Sequence, residues 1–362
     1  MKNIIAYAGI LIMLFQAIIP LPVFADTSAE LQHLIRGLEV GEPVTYENLT
    51  IFPIYNTLRA RHLIAPGAQF GYLTLDEAME NNYLSVAEIS GGSVPQVKVT
   101  NRSDKFIFMM GGEIITGCKQ DRLIARDVLL RPRAKEVIVP VYCVEHGRWN
   151  QQSDVFYSKR NLGTYELRAE AQKAGADAQQ KIWSRVSSLH SDNKVASTTG
   201  AYQETYDNQE VKSKIDIYEK EMARVPNLYP DSIGVVIAVG GRIVNVDIFE
   251  NSRTFLKLWP KLLKSSALAA INSYSDYSVT QKDAAEFLRR VYNKDYAHRN
   301  GIDAGVEYQA ADNDGNVNAL VYSGAVIHLA SFTQKPLVDV EKDRTPGHEY
   351  RYPVMRQNII ID

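Results

Sequence analysis

Residues 105–122 read KFIFMMGGEIITGCKQDR, and residues 137–149 read VIVPVYCVEHGRW. Both stretches begin with β-branched, aromatic and other apolar residues, a composition that favours β-strands. The run from Lys105 to Met110 has no polar alternation, which predicts a strand buried on both faces. Polar side chains of the kind found in binding sites follow these strands closely: Glu113, Lys119, Gln120, Arg122, Glu145 and Arg148. The sequence therefore predicts a polar site carried by buried strands.

The side chains of an extended chain point alternately to opposite faces of a sheet. Cys143 and Glu145 therefore share one predicted face, and Cys118, Gln120 and Arg122 share another. If these faces meet, a carboxylate, a guanidinium, an amide and two sulfur atoms converge. The alternation thus predicts that the two stretches form a single site.

The rest of the chain is predicted to alternate irregularly between strands and helices. Runs of β-branched and aromatic residues predict strands at 49–55, 85–89, 94–100, 233–239, 243–249, 307–311, 319–322 and 325–332, and one or two more within 114–130. Apolar spacing and capping residues predict helices at 28–40, 74–79, 165–189 and 204–224, and others that begin at Ser252 and Thr280.

These elements predict an α+β fold, with an antiparallel β-rich core of hairpins and several flanking amphipathic helices, because no βαβ rhythm appears. We expect a single domain over residues 30–332, which is β-rich to about residue 150 and continues with helices and hairpins. Residues 333–362 are charged and contain proline, so we expect a loosely ordered tail.

The chain opens with MKNIIAYAGILIMLFQAIIPLPVFA, in which Lys2 precedes a long apolar run that ends in a small-residue cleavage site. This arrangement is typical of a secretory signal peptide over residues 1–25, removed near Ala25, and predicts export to the periplasm or the extracellular space. The alternative is an uncleaved anchor, which Pro20 and Pro22 disfavour because they interrupt the apolar run. No membrane span is predicted after the signal peptide is removed.

The charge balance and the motif content give no indication of nucleic acid, a metal or a cofactor as a partner. The chain has 40 Lys and Arg against 42 Asp and Glu, so electrostatics give no reason to expect nucleic acid as a partner. No HExxH, CxxC or His-x-His spacing occurs, and no metal site is predicted. No cofactor is indicated either, because the Gly240–Gly241 pair predicts a hairpin turn and no phosphate loop is present. The protein partner, if there is one, is unknown.

The two cysteines, Cys118 and Cys143, allow two interpretations. In an exported protein the simplest is a disulfide between nearby strands, and the alternative is a reactive thiol pair. Cys143 is also a candidate nucleophile if Arg122, Lys119 or Arg148 stabilises its thiolate.

Glu113 and Glu145 are the candidates for general acid and base. For each carboxylate, a salt bridge with Arg122 or Arg148 is the simpler interpretation. A dense polar set on strands pays a desolvation cost, which either a ligand or a fully paired network must offset. Both interpretations stay open at this point.

The two stretches resemble the motifs GEE-L-x-G-A-K-Q-N-R and V-P-V-x-C-V-E-x-G-R-W of a domain family. That family is named for its association with ADP-ribosylglycohydrolases and rhodanese-phosphatase proteins. The segments YLTLDEAM, VDIF and LWPKLLKSSAL are similar to it as well. The motif residues carried over by position are Glu113, Gly117, Lys119, Gln120, Arg122, Cys143, Glu145, Gly147, Arg148 and Trp149. The chain departs from the pattern at Cys118, where the family has Ala, and at Asp121, where it has Asn.

The resemblance implies a link to ADP-ribose or nucleotide metabolism. We therefore expect an exported protein that binds a small anionic ligand, similar to a nucleotide or sugar phosphate, with enzymatic activity left open. Lys119, Gln120, Arg122 and Arg148 would bind the ligand, and Trp149 would stack on a ring. The alternative is a non-catalytic envelope protein, structural or interacting, whose polar strands form a buried network.

Overall fold

The computed structural model describes residues 27–60, 71–89, 95–173 and 175–333. The predicted signal peptide, residues 1–25, lies outside the described residues, and so does the predicted tail beyond Thr333. Within the described part of the chain, no helix combines the length and the apolar character needed to span a membrane.

The strands are β1 (Leu38–Val40), β2 (Val44–Tyr46), β3 (Leu49–Asn56), β4 (Tyr72–Thr74), β5 (Leu84–Glu88), β6 (Gln96–Asn101), β7 (Phe106–Met109), β8 (Glu113–Gly117), β9 (Arg122–Ile124), β10 (Val128–Leu130), β11 (Val137–Cys143), β12 (Phe156–Leu162), β13 (Gly234–Val239), β14 (Arg242–Phe249), β15 (Ala297–Asn300), β16 (Ile302–Asp303), β17 (Val306–Asp312), β18 (Gly315–Tyr322) and β19 (Ala325–Thr333). The helices are α1 (Thr27–Leu34), α2 (Thr57–Ala60), α3 (Leu75–Glu80), α4 (Tyr165–Lys173), α5 (Ala178–Asp192), α6 (Tyr202–Asp207), α7 (Gln209–Met222), α8 (Val225–Leu228), α9 (Ser252–Ala270) and α10 (Gln281–Tyr292).

In the described ranges these strands form three sheets. The largest has nine strands in the order β1-β3-β13-β14-β19-β18-β17-β15, with β2 also paired to β3. The second has the order β16-β10-β7-β4, and the third β12-β8-β9-β11-β6-β5. Pairing is antiparallel except for β4 with β7 and β10 with β16. The predicted α+β fold with an antiparallel β-rich core is confirmed.

The nine-stranded sheet carries apolar layers on both faces. Helix α9 lies in the first layer and buries Phe255, Leu258, Trp259, Leu262 and Leu263 against strands and helices from both halves of the chain. Helices α1 and α10 belong to the layer on the other face, and α3 packs in a third cluster with the two smaller sheets. Each fully buried large apolar side chain contributes roughly 1.5–3 kcal/mol. Helix α9 also carries the buried Lys261, which forms an ion pair with Glu113.

Several local predictions are confirmed and others are wrong at the ends of elements. The Gly240–Gly241 turn joins β13 to β14, and the capping boxes at Thr74 and Thr280 are both formed. The single helix predicted over 204–224 is two helices, because the Asn208 side chain accepts hydrogen bonds from the first backbone amides of α7 and begins a new helix there.

Two further predictions need the same kind of correction. The helix expected over 28–40 ends at Leu34, and β1 follows it. Helix α9 is capped by Asn251, one residue before the predicted Ser252, and the Asn251 side chain accepts from the Thr254 amide at 2.9 Å. Asn and Ser are equally good capping residues, so the sequence signal was ambiguous by one position.

Candidate functional site

Residues 118–121 form a turn between β8 and β9, which changes the predicted arrangement of side chains. Gly117 has a φ of +120° and Cys118 a φ of +45°, so the chain leaves the sheet at this point. A Cβ atom on residue 117 would lie 2.5 Å from Ser153 Oγ, which explains the glycine. The prediction that Cys118, Gln120 and Arg122 alternate along one strand is therefore wrong. Strand β9 instead places Arg122 directly opposite Cys143 of β11.

Arg148, Glu145 and Asp121 form a buried ionic cluster beside this turn. The Nε and Nη2 atoms of Arg148 donate to the two Glu145 carboxylate oxygens at 2.7 and 2.5 Å. Nη2 also donates to Asp121 at 3.1 Å, and Nη1 donates to the Cys118 carbonyl at 2.7 Å. Burial raises the pKa of Asp121, the residue where the family has Asn, to about 6.

The Glu145 carboxylate is fully engaged as well. It accepts hydrogen bonds from the Asp121 amide at 3.1 Å and from the Thr199 hydroxyl at 3.0 Å, in addition to those from Arg148. Only 4% of Glu145 and 7% of Arg148 is exposed. Glu145 and Arg148 therefore pair with each other and with the 118–121 turn. Neither presents a free polar atom to a ligand.

The Arg122 guanidinium makes fewer hydrogen bonds than that of Arg148. Its side chain is fully buried, and Nη1 donates to Gln120 Oε1 at 3.2 Å. The nearest acidic group is Glu88, whose Oε1 lies 3.7 Å from Nη2. Neither Nε nor Nη2 has a hydrogen-bond acceptor among the described residues. Gln120 is itself fixed, because its amide donates to the Glu145 carbonyl at 2.8 Å.

Lys119 and Trp149 lie at the surface next to this cluster. The Lys119 Nζ atom is 5.3 Å from the centre of the Trp149 ring, within range of a cation–π contact, and 49% of Trp149 is exposed. The Lys119 amide donates to Glu88 Oε1 at 3.1 Å. Glu88 therefore connects the exposed pair to the buried guanidinium of Arg122.

Glu113, at the start of β8, belongs to a different ionic cluster, which contains Lys261 and Asp76. Its Oε1 lies 2.5 Å from Lys261 Nζ, which is also 2.6 Å from Asp76 Oδ2, and its Oε2 accepts from the Met110 amide. Asp76 accepts from the Ser158 hydroxyl at 2.6 Å. Burial raises the pKa of Glu113, while Lys261 opposes that shift. Glu113 and Glu145 are thus each paired with a separate cation.

Both cysteines are free thiols in the structure, and both are buried. Burial raises the pKa of Cys118 to about 11 and also raises the pKa of Cys143. The Cys143 thiol donates to the Glu145 carbonyl at 3.2 Å. A protonated, buried thiol is a poor nucleophile. The disulfide between the two residues stays a prediction.

Sequence reasoning missed a third cluster, centred on His328. Its two ring nitrogens lie 2.7 Å from Asp127 and 3.0 Å from Asp247, and Asp247 is held by both terminal nitrogens of Arg168. Burial lowers the pKa of His328, but the two carboxylates outweigh it and raise the pKa to about 9. The signal was present: Asp247 and His328 are ionisable residues within strands that are mostly apolar.

Five of the best-formed cavities among the described residues lie away from the two motifs, and none of the five is lined by a residue of 113–122 or 143–149. The largest has a volume of about 580 Å³ and lies between α4, α5 and α9. The open pocket expected at the motifs is therefore not among these cavities.

The family model described as the ARG and Rhodanese-Phosphatase-superfamily-associated Protein domain matches residues 37–332. The match covers most of the chain and shows the family to which it belongs, in agreement with the resemblance of the two motifs. No curated protein and no solved structure gives a significant match to the chain.

Proposed function

We propose that this chain, a member of the ARG and Rhodanese-Phosphatase-superfamily-associated Protein domain family, binds a small oxyanion and that Arg122 receives it. The observation that supports this is the edge of the Arg122 guanidinium that has no acceptor among the described residues. Nε and Nη2 lie on the same edge, and a carboxylate or phosphate presents two oxygens that match it. Leaving each buried donor without an acceptor costs roughly 1–3 kcal/mol, which a bound anion would recover.

Arg148 provides an internal comparison for this geometry. The same Nε and Nη2 edge of Arg148 holds the Glu145 carboxylate at 2.7 and 2.5 Å. At Arg122 the nearest carboxylate, that of Glu88, lies 3.7 Å from Nη2 alone. The Glu88 side chain is 14% exposed, whereas that of Arg122 is fully buried, so we propose that an anion from solvent reaches Arg122 past Glu88. The ligand would displace it.

Lys119 and Trp149 would contact the rest of the ligand. They form the exposed pair next to Glu88, and they offer a cation and an aromatic face. A ligand with one anionic group and a planar or ring-shaped body, such as a nucleotide or a sugar phosphate, suits this pair. Export of the protein after cleavage near Ala25 is part of the proposal, and the mass of the purified mature chain tests it.

The contacts of the candidate catalytic residues favour binding over catalysis at this site. Glu113 and Glu145 are both buried in ion pairs, and the Cys143 thiol is protonated and without exposed surface. A general acid or base needs hydrogen-bond reach to the reacting group. In our proposal these three residues therefore stabilise the fold and do not take part in catalysis.

Titration calorimetry with acetate, benzoate and inorganic phosphate tests the site. Glu88→Gln removes the competing carboxylate, so we expect it to bind the anions roughly tenfold or more tightly than wild type, which corresponds to about 1.4 kcal/mol. Arg122→Gln should lose binding, and benzoate should exceed acetate because of Trp149. Glu80→Gln, an equal charge change at an exposed acid paired with Arg160, is the matched control. Unchanged binding in folded Arg122→Gln contradicts the proposal.

The second candidate is a non-catalytic structural protein, and the complete pairing of Arg148 favours it. In that case Glu88 and Gln120 would serve only to hold Arg122 in place. Arg122→Gln would then lower the free energy of unfolding by the same amount with and without anions, and Glu88→Gln would bind none of the three. Thermal unfolding with and without 10-fold excess ligand separates the two candidates.

A further inference from the structure

We propose that the chain has a second binding site, for a polyhydroxylated ligand with a single anionic group, in the cleft between α4, α5, α9 and the start of β14. The cleft has a volume of about 580 Å³, within the range of roughly 300–1,000 Å³ typical of sites for small molecules. Its walls include Tyr165, Glu166, Arg185, Asp192, Arg242 and Asn272. We call it the polar cleft.

Two arginines bring positive charge to the Tyr165 end of the polar cleft, where Glu166 adds a carboxylate. Arg185 and Arg242 are both exposed, and among the described residues neither forms an ion pair. They come from α5 and β14, and both guanidinium groups act on the phenol of Tyr165: burial and the Glu166 carboxylate raise the pKa of that phenol, and Arg242 and Arg185 oppose them. Two cations that form no ion pair among the described residues thus lie near one phenol, with the Glu166 carboxylate beside it. A phosphate or carboxylate fits such a corner.

The other end of the polar cleft carries groups that recognise hydroxyls. Asp192 contributes a carboxylate at the end of α5. Asn272 is held in place because its amide donates to the Asp192 carbonyl at 3.2 Å and to Asn193 Oδ1 at 2.8 Å. Ser188 and Ser273 add hydroxyls. Carboxylate and amide groups bind sugar hydroxyls, whereas a second anion at this end would be repelled.

The wall of the polar cleft adjoins the buried His328 cluster through Tyr165. Tyr165 lines the cleft and also a small, mostly buried cavity of about 10 Å³, large enough for about one water molecule. Arg168 and Asn245 line the same internal cavity and are bound to Asp247 in the His328 cluster. The buried cluster therefore lies next to a residue that lines the polar cleft.

Calorimetry of the purified chain with ribose 5-phosphate, ribose and inorganic phosphate tests the proposal. We expect ribose 5-phosphate to bind, and each of Arg185→Gln and Arg242→Gln to weaken it at least tenfold. Arg224→Gln, at an exposed arginine that lines none of the five cavities, should bind as wild type does. We expect phosphate alone and ribose alone to bind at least tenfold more weakly than ribose 5-phosphate.

Three outcomes would contradict the proposal that the polar cleft is a binding site. The first is that none of the probes binds. The second is that phosphate binds as tightly as ribose 5-phosphate, which removes the role of the hydroxyl-binding end. The third is that binding is lost in folded Arg122→Gln and kept in Arg185→Gln, which assigns it to the Arg122 site. Binding kept in Arg122→Gln and weakened in Arg185→Gln supports the cleft, whatever the fate of the Arg122 proposal.

Discussion

Replacing Lys261 by methionine isolates the energetic role of the Glu113 cluster. Lys261 is 3% exposed and lies 2.5 Å from Glu113 and 2.6 Å from Asp76. Methionine retains much of the apolar volume but leaves Glu113, which is 1% exposed, without its cation. Removing one partner of a buried ion pair costs about 3–5 kcal/mol, and we expect the variant to lose that much.

The matched control lies on the same helix. Lys257 forms an ion pair with Glu77 at 2.6 Å, but these side chains are 37% and 34% exposed. An exposed pair contributes about 0–1 kcal/mol, so Lys257→Met should change the free energy of unfolding only slightly. Urea denaturation followed by tryptophan fluorescence measures both variants, and Trp259 reports on α9 directly.

The loss in Lys261→Met should depend on pH. Burial already raises the pKa of Glu113, and removing the ammonium raises it further. A carboxyl whose folded-state pKa lies above its unfolded value stabilises the protein below the unfolded pKa and loses that stabilisation as the pH rises through the folded pKa. The deficit of the variant should therefore be larger at pH 8 than at pH 5. Adding Glu113→Gln should recover about 1–3 kcal/mol at pH 8.

Two results would refute this reasoning. One is a Lys261→Met variant as stable as Lys257→Met. The other is a deficit that is the same at pH 5 and pH 8, because the buried carboxylate would then not be its cause.

Three further predictions follow from the other clusters. Arg148→Gln should lower the free energy of unfolding by about 3–5 kcal/mol, because it leaves the buried Glu145 carboxylate without its cation. A loss below about 1 kcal/mol in urea denaturation would contradict this. The pKa of His328 is raised to about 9, so its stabilisation is complete below about pH 6.5 and is lost as the pH rises through 9. The stability difference between wild type and His328→Gln should shrink over that range, and a difference that grows would exclude a protonated imidazole. Cys118 and Cys143 should react with a thiol reagent only after unfolding, and rapid labelling of the native protein would show that they are accessible.

Sequence periodicity predicted the elements whose signals are local. The hairpin of β13 and β14 is confirmed because its Gly-Gly turn and its β-branched strands are contiguous. The apolar stripe of α7, at Val211, Ile215, Tyr218 and Met222, is buried as its spacing predicts. The break at Asn208 was missed, because a polar residue in a polar helix gives the same pattern whether it caps or continues it.

The candidate site was predicted in composition and only partly in arrangement. The two motifs do meet, since Arg122 lies opposite Cys143 and Arg148 contacts the 117–121 turn. Alternation could not show that Gly117 ends the strand, because that depends on backbone angles. It also could not show that Lys261 would pair with Glu113, because that partner comes from a helix far along the chain and carries no signal at residue 113.

The pairing of β3 with β13 constrains how the polypeptide is assembled during synthesis. Ile51 lies opposite Ile237, so an apolar strand made early has no neighbour on one edge until most of the chain has been produced. Closing so long a loop is slow, and an unpaired apolar edge invites association with other chains. A nascent chain of this protein therefore exposes one edge of β3 to association with other chains until β13 has been made. Neither half of the polypeptide is expected to mature as an autonomous fragment.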